Sequence, residues 1–226
     1  VDDNANMTIA PELFHNWFGD LVTCESWSHL PLNESFATFG ELMWAEHTEG
    51  EVGLQRELMQ KKSSYFNEID NKRVVPIRHY YQDPDDLFDS HSYARGGVVL
   101  NMLRRHMGDE AFYAGLKHYL TTNAFKTAEI DDLRRSFEEV TGEDWAWFFN
   151  QWFKKEGHPI LDVQYQTVQR KLKIAIEQNE RFGPFRLPMN IELIHQGKVV
   201  DRKSILIDEV KENYEFAVDY DSVLVN

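Results

Sequence analysis

The spacing of apolar residues along this chain changes once, close to residue 158. Before that point, apolar residues recur at the three- and four-residue intervals of amphipathic helices, whereas residues 73–90 have no steady period. The predicted helices cover residues 33–47, 50–70, 93–106, 109–119, 127–140 and 143–155. The pattern therefore predicts a mostly helical domain over residues 1–157.

After Pro159 the apolar residues alternate with polar ones, as in strands that bury one face. The predicted strands cover residues 161–165, 172–176, 187–194, 199–207 and 214–218. Short strands with turns between them are typical of an antiparallel β-sandwich. Residues 158–226 are therefore predicted to form a small sandwich, which gives the whole chain an α+β fold.

The composition is that of a soluble globular protein with an acidic surface. The 226 residues are 42% hydrophobic and include 15 Phe and 6 Trp, enough to fill a core to which we assign the aromatic run over residues 145–153. The formal net charge of −14 argues against nucleic acid and anionic membrane as partners, because both require basic patches. We interpret this charge as ordinary solubility charge, although it would also attract cationic peptides.

Cys24 is the single cysteine, so an intrachain disulfide is impossible and we expect a free, buried thiol. No apolar run reaches the length of a membrane-spanning helix. No signal peptide is visible either, and these features leave the cellular compartment open.

A candidate metal site begins at Pro11-Glu12-Leu13-Phe14-His15. Zinc peptidases use the pattern His-Glu-x-x-His, in which two histidines on one helix face bind zinc and the glutamate acts as general base. A third ligand comes from another segment, and Glu34 follows His15 with 18 residues between them. The pattern assigns Glu12 as the base and His15 and Glu34 as zinc ligands, with Pro11 in place of the first histidine.

Pro11 affects both the metal site and the helix. Proline offers no lone-pair nitrogen to a metal, and the two remaining ligands fall short of the three that a catalytic zinc normally has. We therefore predict weak zinc binding. Because proline costs about 3 kcal/mol inside a helix but is harmless in a first turn, two structures remain open: a helix that starts late with Thr8 as its N-cap, and a longer helix that contains Pro11.

Three segments around this motif form a longer ordered pattern: His15-Asn16-Trp17-Phe18-Gly19-Asp20-Leu21-Val22-Thr23, Glu25-Ser26-Trp27 and Leu32-Asn33-Glu34-Ser35-Phe36-Ala37. Together they closely resemble the M1 (gluzincin) family of zinc aminopeptidases. The resemblance implies a thermolysin-like helical catalytic domain followed by a β-sandwich. It also implies one Zn²⁺ as cofactor and hydrolysis of N-terminal peptide bonds by zinc-activated water.

A second block, His91-Ser92-Tyr93-Ala94-Arg95-Gly96-Gly97, enters an apolar helix and resembles the family's Tyr-x-Lys-Gly segment. In the family that tyrosine donates a hydrogen bond to the oxyanion of the tetrahedral intermediate, which can contribute roughly 3–4 kcal/mol. The resemblance therefore implies a catalytic role for Tyr93, with Arg95 keeping the positive charge of the more frequent lysine. From the neighbouring residues alone, Tyr93 would be a helix-start tyrosine packed on the core.

The resemblance covers essentially the whole chain, but it covers the middle part of a family enzyme. We expect the family's N-terminal β domain, and the Gly-x-Met-Glu-Asn segment that helps to hold the substrate's free amine, to lie upstream on a parent polypeptide. No substrate-binding residue is assigned. The expected function is that of a zinc metallopeptidase of the aminopeptidase type, acting on peptide substrates and impaired by Pro11 and by truncation.

Two alternatives remain open. One is a non-catalytic module that binds peptides or a partner protein, although the retention of Glu12 and Tyr93 argues against such drift. The other is a related hydrolase with a non-peptide epoxide substrate, which a substrate panel would separate from a peptidase.

Overall fold

The computed structural model describes residues 3–219 and 224–225. The chain divides into two compact units, Val1–Glu156 and Gly157–Asn226. The first unit is mainly helical and the second contains two antiparallel sheets. Together they confirm the predicted α+β fold.

The helices of the first unit are joined by connections of very different lengths. Their bounds are α1 Asp3–His15, α2 Pro31–Ile69, α3 Gly96–Met107, α4 Asp109–Thr122, α5 Ile130–Thr141 and α6 Ala146–Phe153. Short 3₁₀ turns cover Trp27–His29 and Pro84–Leu87, and a π-helical turn, His91–Arg95, leads directly into α3. Among the described residues, no helix is long and apolar enough to cross a membrane.

The helix α2 corresponds to the two helices predicted over residues 33–47 and 50–70. They are continuous except at Gly50, where the backbone leaves the helical region with φ 67° and ψ −156°. This conformation is accessible almost exclusively to glycine. Gly50 therefore lets one long segment change direction without an intervening loop.

Three predicted helices, those over residues 93–106, 127–140 and 143–155, each begin three residues later than their apolar patterns indicated. The helix predicted from residue 127 starts at Ile130, because Lys126–Ala128 forms a short strand, β2, instead. It pairs in parallel with β1, Val22–Cys24, which follows α1. Strands of three residues have no period to detect, so the sequence pattern did not reveal this link between the two segments.

The core of the first unit is rich in aromatic rings. The rings of Phe39 and Phe112 lie 5.4 Å apart, and those of Phe112 and Phe137 lie 5.5 Å apart, at distances that favour ring–ring attraction. The aromatic run predicted to belong to the core does so in the main. Its buried members are Trp145, Phe148, Phe149, Trp152 and Phe153.

Within the described part of the second unit, the strands form two three-stranded antiparallel sheets. In chain order the strands are β3 Leu161–Val168, β4 Lys171–Gln178, β5 Leu187–His195, β6 Lys198–Ile207, β7 Lys211–Ala217 and β8 Leu224–Val225. One sheet has the order β3-β4-β7 and the other the order β6-β5-β8. Alternate residues of the central strand β4 are buried, namely Leu172, Ile174 and Ile176, which is the period-two pattern expected of strands covered on one face.

Candidate active site

The candidate site lies where the C-terminal end of α1 meets the N-terminal turn of α2. Glu12 and His15 are in the last turns of α1, and Glu34 is in the first turn of α2. Just after α1 ends, the ring of Phe18 stacks on that of Phe36 in α2, with centroids 3.8 Å apart. The fold thus brings the segments on either side of the 18-residue spacing into contact.

The imidazole of His15 is oriented by its own chain. Its Nδ1 lies 3.2 Å from the carbonyl oxygen of Phe18 and donates to it in the tautomer that this contact favours. The lone pair then resides on Nε2, which lies 3.5 Å from Oε2 of Glu34. Metal-binding histidines are commonly held in this way by a carbonyl on the nitrogen that does not bind the metal.

The distance between His15 and Glu34 matches two ligands of one zinc ion. With zinc bonds of ordinary length and tetrahedral angles, a nitrogen and an oxygen ligand lie about 3.4 Å apart. The observed separation of Nε2 and Oε2 is 3.5 Å. The pair therefore fits two of the positions of a tetrahedral site.

Burial raises the pKa of Glu34 above its ordinary value. His15 and a hydrogen bond from Tyr93 act in the opposite direction, and the nearby carboxylate of Glu12 raises this pKa further. The Glu34 side chain is 13% exposed and that of His15 is 29% exposed. The site is therefore a partly dehydrated cluster in which negative charge lacks full compensation, a setting that favours a bound cation.

Tyr93 lies in the π-helical turn and is partly buried. Burial raises the pKa of its hydroxyl, and Glu34 raises it further both by its charge and by a hydrogen bond, so the hydroxyl stays protonated and remains a donor. The local sequence alone suggested a helix-start tyrosine packed on the core and gave no indication of this contact between the Tyr93 hydroxyl and Glu34.

Pro11 lies inside α1, which begins at Asp3, so of the two structures left open by the sequence the longer helix is the one observed. Glu12 is exposed next to it and is close enough to influence both Glu34 and Tyr93 electrostatically. Within the described residues, no third metal-ligating side chain groups with His15 and Glu34. His15 and Glu34 by themselves are one short of the three protein ligands that a catalytic zinc normally has.

Arg95 takes a structural position rather than one in the site. It is 4% exposed and donates hydrogen bonds to the carbonyl oxygens of Trp152 and Lys155. Its guanidinium also lies over the ring of Tyr65, with 5.6 Å between them. The charge noted in the sequence thus connects the Tyr93 turn to the end of α6.

A second group of metal-ligating side chains was missed by the sequence analysis. Glu25, His29 and Glu129 form the one such group among the described residues, with ligand atoms within 4.8 Å of one another. The β1–β2 pairing brings them together, a contact without a sequence signature. Because Nδ1 of His29 accepts the N–H of Ile130 at 3.2 Å, the proton of the neutral ring is on Nε2, and we assign no metal there.

Cys24 was expected to be a buried thiol, but it is only half-buried, on β1. Burial nevertheless raises the pKa of this thiol, and the charge of Glu34 adds to the effect. The thiol therefore stays protonated at neutral pH, which makes it a poor nucleophile.

Comparisons with known proteins address the family to which this chain belongs. The family model described as "Peptidase family M1 domain" matches residues 2–152. Aminopeptidase M1-D of Oryza sativa subsp. japonica is 35% identical over 164 residues, which are 71% of this chain and 19% of that protein. The Tricorn protease-interacting factor F2 of Thermoplasma volcanium is 35% identical over 220 residues, or 93% of this chain and 28% of its own length.

Leucyl aminopeptidase of Saccharolobus solfataricus is 32% identical over 230 residues, which are 96% of this chain and 28% of that enzyme. Among solved structures, Legionella pneumophila aminopeptidase A in complex with aspartic acid shares the fold, with a TM-score of 0.75 and 21% identity over 93% of this chain and 24% of its own. The chain thus spans less than a third of the length of these relatives. Since the family model covers more than half of the chain, the protein belongs to peptidase family M1.

Proposed function

We propose that this chain carries the catalytic centre of a zinc-dependent aminopeptidase, in a form that Pro11 has impaired. The observation that carries the proposal is the convergence of His15, Glu34 and Tyr93, with Nε2 and Oε2 at 3.5 Å and the tyrosine hydroxyl on the same carboxylate. The names of the relatives support an aminopeptidase over a non-catalytic module or an epoxide hydrolase. The proposed substrate is accordingly a peptide with a free N-terminus.

The residues are assigned separate roles. His15 and Glu34 are the proposed metal ligands. Glu12, which is exposed beside them, is the proposed general base, and Tyr93 is the proposed donor to the oxyanion of the tetrahedral intermediate. In enzymes of this kind zinc polarises the scissile carbonyl and acidifies a water molecule. All four assigned residues are present in this chain; the residue of the motif that is missing is the first histidine, at position 11.

The proposed impairment follows from the ligand count. With His15 and Glu34 alone among the described residues, the protein does not meet the requirement for three ligands, so we expect weak zinc binding and little peptidase activity. We further propose that residues 1–157 belong to the catalytic domain and residues 158–226 to a sandwich domain. An upstream N-terminal domain of a longer polypeptide is the proposed intramolecular partner.

The test compares this chain with its Pro11→His and Pro11→Ala variants. Zinc per chain is measured by elemental analysis after dialysis, together with hydrolysis of aminoacyl amides and of a lipid epoxide. We expect Pro11→His alone to hold about one zinc and to cleave the amides at least a hundredfold faster, since the loss of even an outer-shell partner costs about 10–100-fold.

Pro11→Ala is the matched control, because it restores the backbone N–H of α1 without adding a metal ligand. If Pro11→Ala held as much zinc per chain as Pro11→His, the gain in zinc binding would be due to repair of the helix and not to a new ligand. The proposal fails if Pro11→His remains free of zinc and inactive, or if the unaltered chain already holds zinc as tightly. Cleavage of the epoxide without cleavage of the amides would identify the protein as an epoxide hydrolase and not a peptidase.

A further inference from the structure

A buried hydrogen bond connects the two halves of the candidate site. The hydroxyl of Ser35 donates to the carbonyl oxygen of Ser92, with 2.7 Å between the oxygens. Ser35 directly follows Glu34, and Ser92 directly precedes Tyr93. Both serines are fully buried, so water does not compete for this bond.

The approach of the two segments depends on a missing side chain. A Cβ atom built on Gly96 would lie 1.7 Å from Oγ and 2.5 Å from Cβ of Ser35. No side chain can occupy that space without moving one segment. Glycine at position 96 therefore lets the start of α3 lie directly against the start of α2.

The Tyr93 side of this bond is rigid. The carboxylate of Asp89 accepts the backbone N–H groups of His91 and Ser92, at 3.0 and 3.1 Å, and thereby holds the start of the π-helical turn. Arg78 donates to the same carboxylate at 2.6 Å and to Oγ of Ser92 at 3.2 Å. Because Ser92 also donates to the carbonyl oxygen of Leu87 at 2.8 Å, its backbone has little freedom to follow a displaced partner.

We propose that Ser35 is a positioning residue that fixes the distance between the Glu34 carboxylate and the Tyr93 hydroxyl. The two groups belong to segments 57 residues apart, and the Ser35–Ser92 bond joins those segments one residue away from each group. A shift of about 1 Å in an active site can cost a hundredfold in rate, so such a bond has a direct effect on catalysis. The catalytic part of this inference rests on the proposed function, whereas the positioning part does not.

The first test requires neither zinc nor activity. The chain is labelled with 3-fluorotyrosine, kept free of metal with a chelator, and the ¹⁹F resonance of Tyr93 is assigned by its loss in Tyr93→Phe. In the parent chain, Glu34→Gln is expected to shift this resonance, because it alters the acceptor of the hydroxyl. In the Ser35→Ala chain we expect the resonance to move and most of its response to Glu34→Gln to disappear.

Ser136→Ala is the matched control. Ser136 is also buried, 3% exposed, and its hydroxyl donates within α5 to the carbonyl oxygen of Asp132 at 2.9 Å. Ser136→Ala thus removes a buried serine hydroxyl, as Ser35→Ala does, but at a position outside the Tyr93 turn. An unchanged Tyr93 resonance and an unchanged response in Ser35→Ala, or an equal disturbance in Ser136→Ala, would overturn the proposal.

The second test measures catalysis in the Pro11→His chain. We expect Ser35→Ala to lower kcat about tenfold with KM within about twofold, and to have no further effect once Tyr93 is Phe, since both changes remove the same transition-state interaction. Additive losses in that cycle would contradict the proposal. If Pro11→His is inactive, the proposed function fails, while the fluorine measurement still decides whether Ser35 positions Tyr93.

Discussion

Glu34 lies in surroundings that disfavour its negative charge. Burial raises its pKa although His15 and Tyr93 partly counteract the effect. Its candidate role, and those of Glu12 and His15, could be read from the sequence because one short motif and one fixed spacing identify them. The Ser35–Ser92 bond could not, because its partners lie 57 residues apart and each is an ordinary serine.

The raised pKa predicts that Glu34→Gln stabilises the zinc-free chain at neutral pH. The folded state disfavours the ionised Glu34 carboxylate, and this lowers the free energy of unfolding by the full amount at pH values above the folded pKa. The loss of stability declines as the pH falls through that pKa and vanishes below the ordinary value of 4.5, where folded and unfolded chains both bind the proton. We therefore expect Glu34→Gln to increase the free energy of unfolding at pH 7.

Urea titrations of both chains from about pH 7 down to pH 4, with a chelator present, measure this gain. The Glu34→Gln chain should lose its advantage toward the acidic end. A lower stability at pH 7, or an advantage independent of pH, would show that Glu34 is not strained in the apo protein.

At the scale of elements, the helices could be predicted from the sequence, whereas the segments that connect them could not. Amphipathic periods locate α2 to α6 within a few residues, because each buries one apolar stripe. The π-helical turn that carries Tyr93 and the three-residue strands β1 and β2 have no comparable period, since their shape depends on tertiary partners such as Asp89 and on each other. Of these elements, the π-helical turn determines the position of a site residue, Tyr93.

The bend in α2 gives a prediction of its own. Gly50→Ala should lower the free energy of unfolding by about 1–3 kcal/mol, because alanine cannot adopt φ 67° and ψ −156° without strain. Among the described residues, apart from the chain neighbours of Gly50, no heavy atom lies within 4 Å of the added Cβ, so the loss reflects backbone conformation and not a clash.

Gln60→Ala, at an exposed position of the same helix, serves as the control and should change stability by less than about 0.5 kcal/mol. Equal stabilities of Gly50→Ala and the unaltered chain would mean that the two halves of α2 can straighten at no cost.

At the scale of the whole molecule, each unit has its own buried core. Phe137 in the first unit and Phe185 in the second are both fully buried. The division between Glu156 and Gly157 falls next to the change of hydrophobic period that the sequence displays near residue 158. That change reflects a basic physical difference, since helices and strands bury their faces at different intervals.

We therefore expect core substitutions to act on the unit that contains them. Phe137→Ala and Phe185→Ala should each cost about 3–5 kcal/mol, in the unfolding of the first and the second unit respectively. Hydrogen exchange measured by mass spectrometry on peptides from each unit distinguishes the two effects. Equal loss of protection in both units for either substitution would mean that the chain unfolds as a single cooperative body.

Pro11 in α1 also has a consequence at the level of the gene. A proline codon ending in a pyrimidine becomes a histidine codon by exchange of its middle base. If the codon for Pro11 is of this kind, one nucleotide separates this chain from the complete His-Glu-x-x-His pattern, in which Glu12 and His15 are already present. Under the proposed function, selection for or against proteolysis could therefore act on this protein in a single step, without rebuilding any other part of the site.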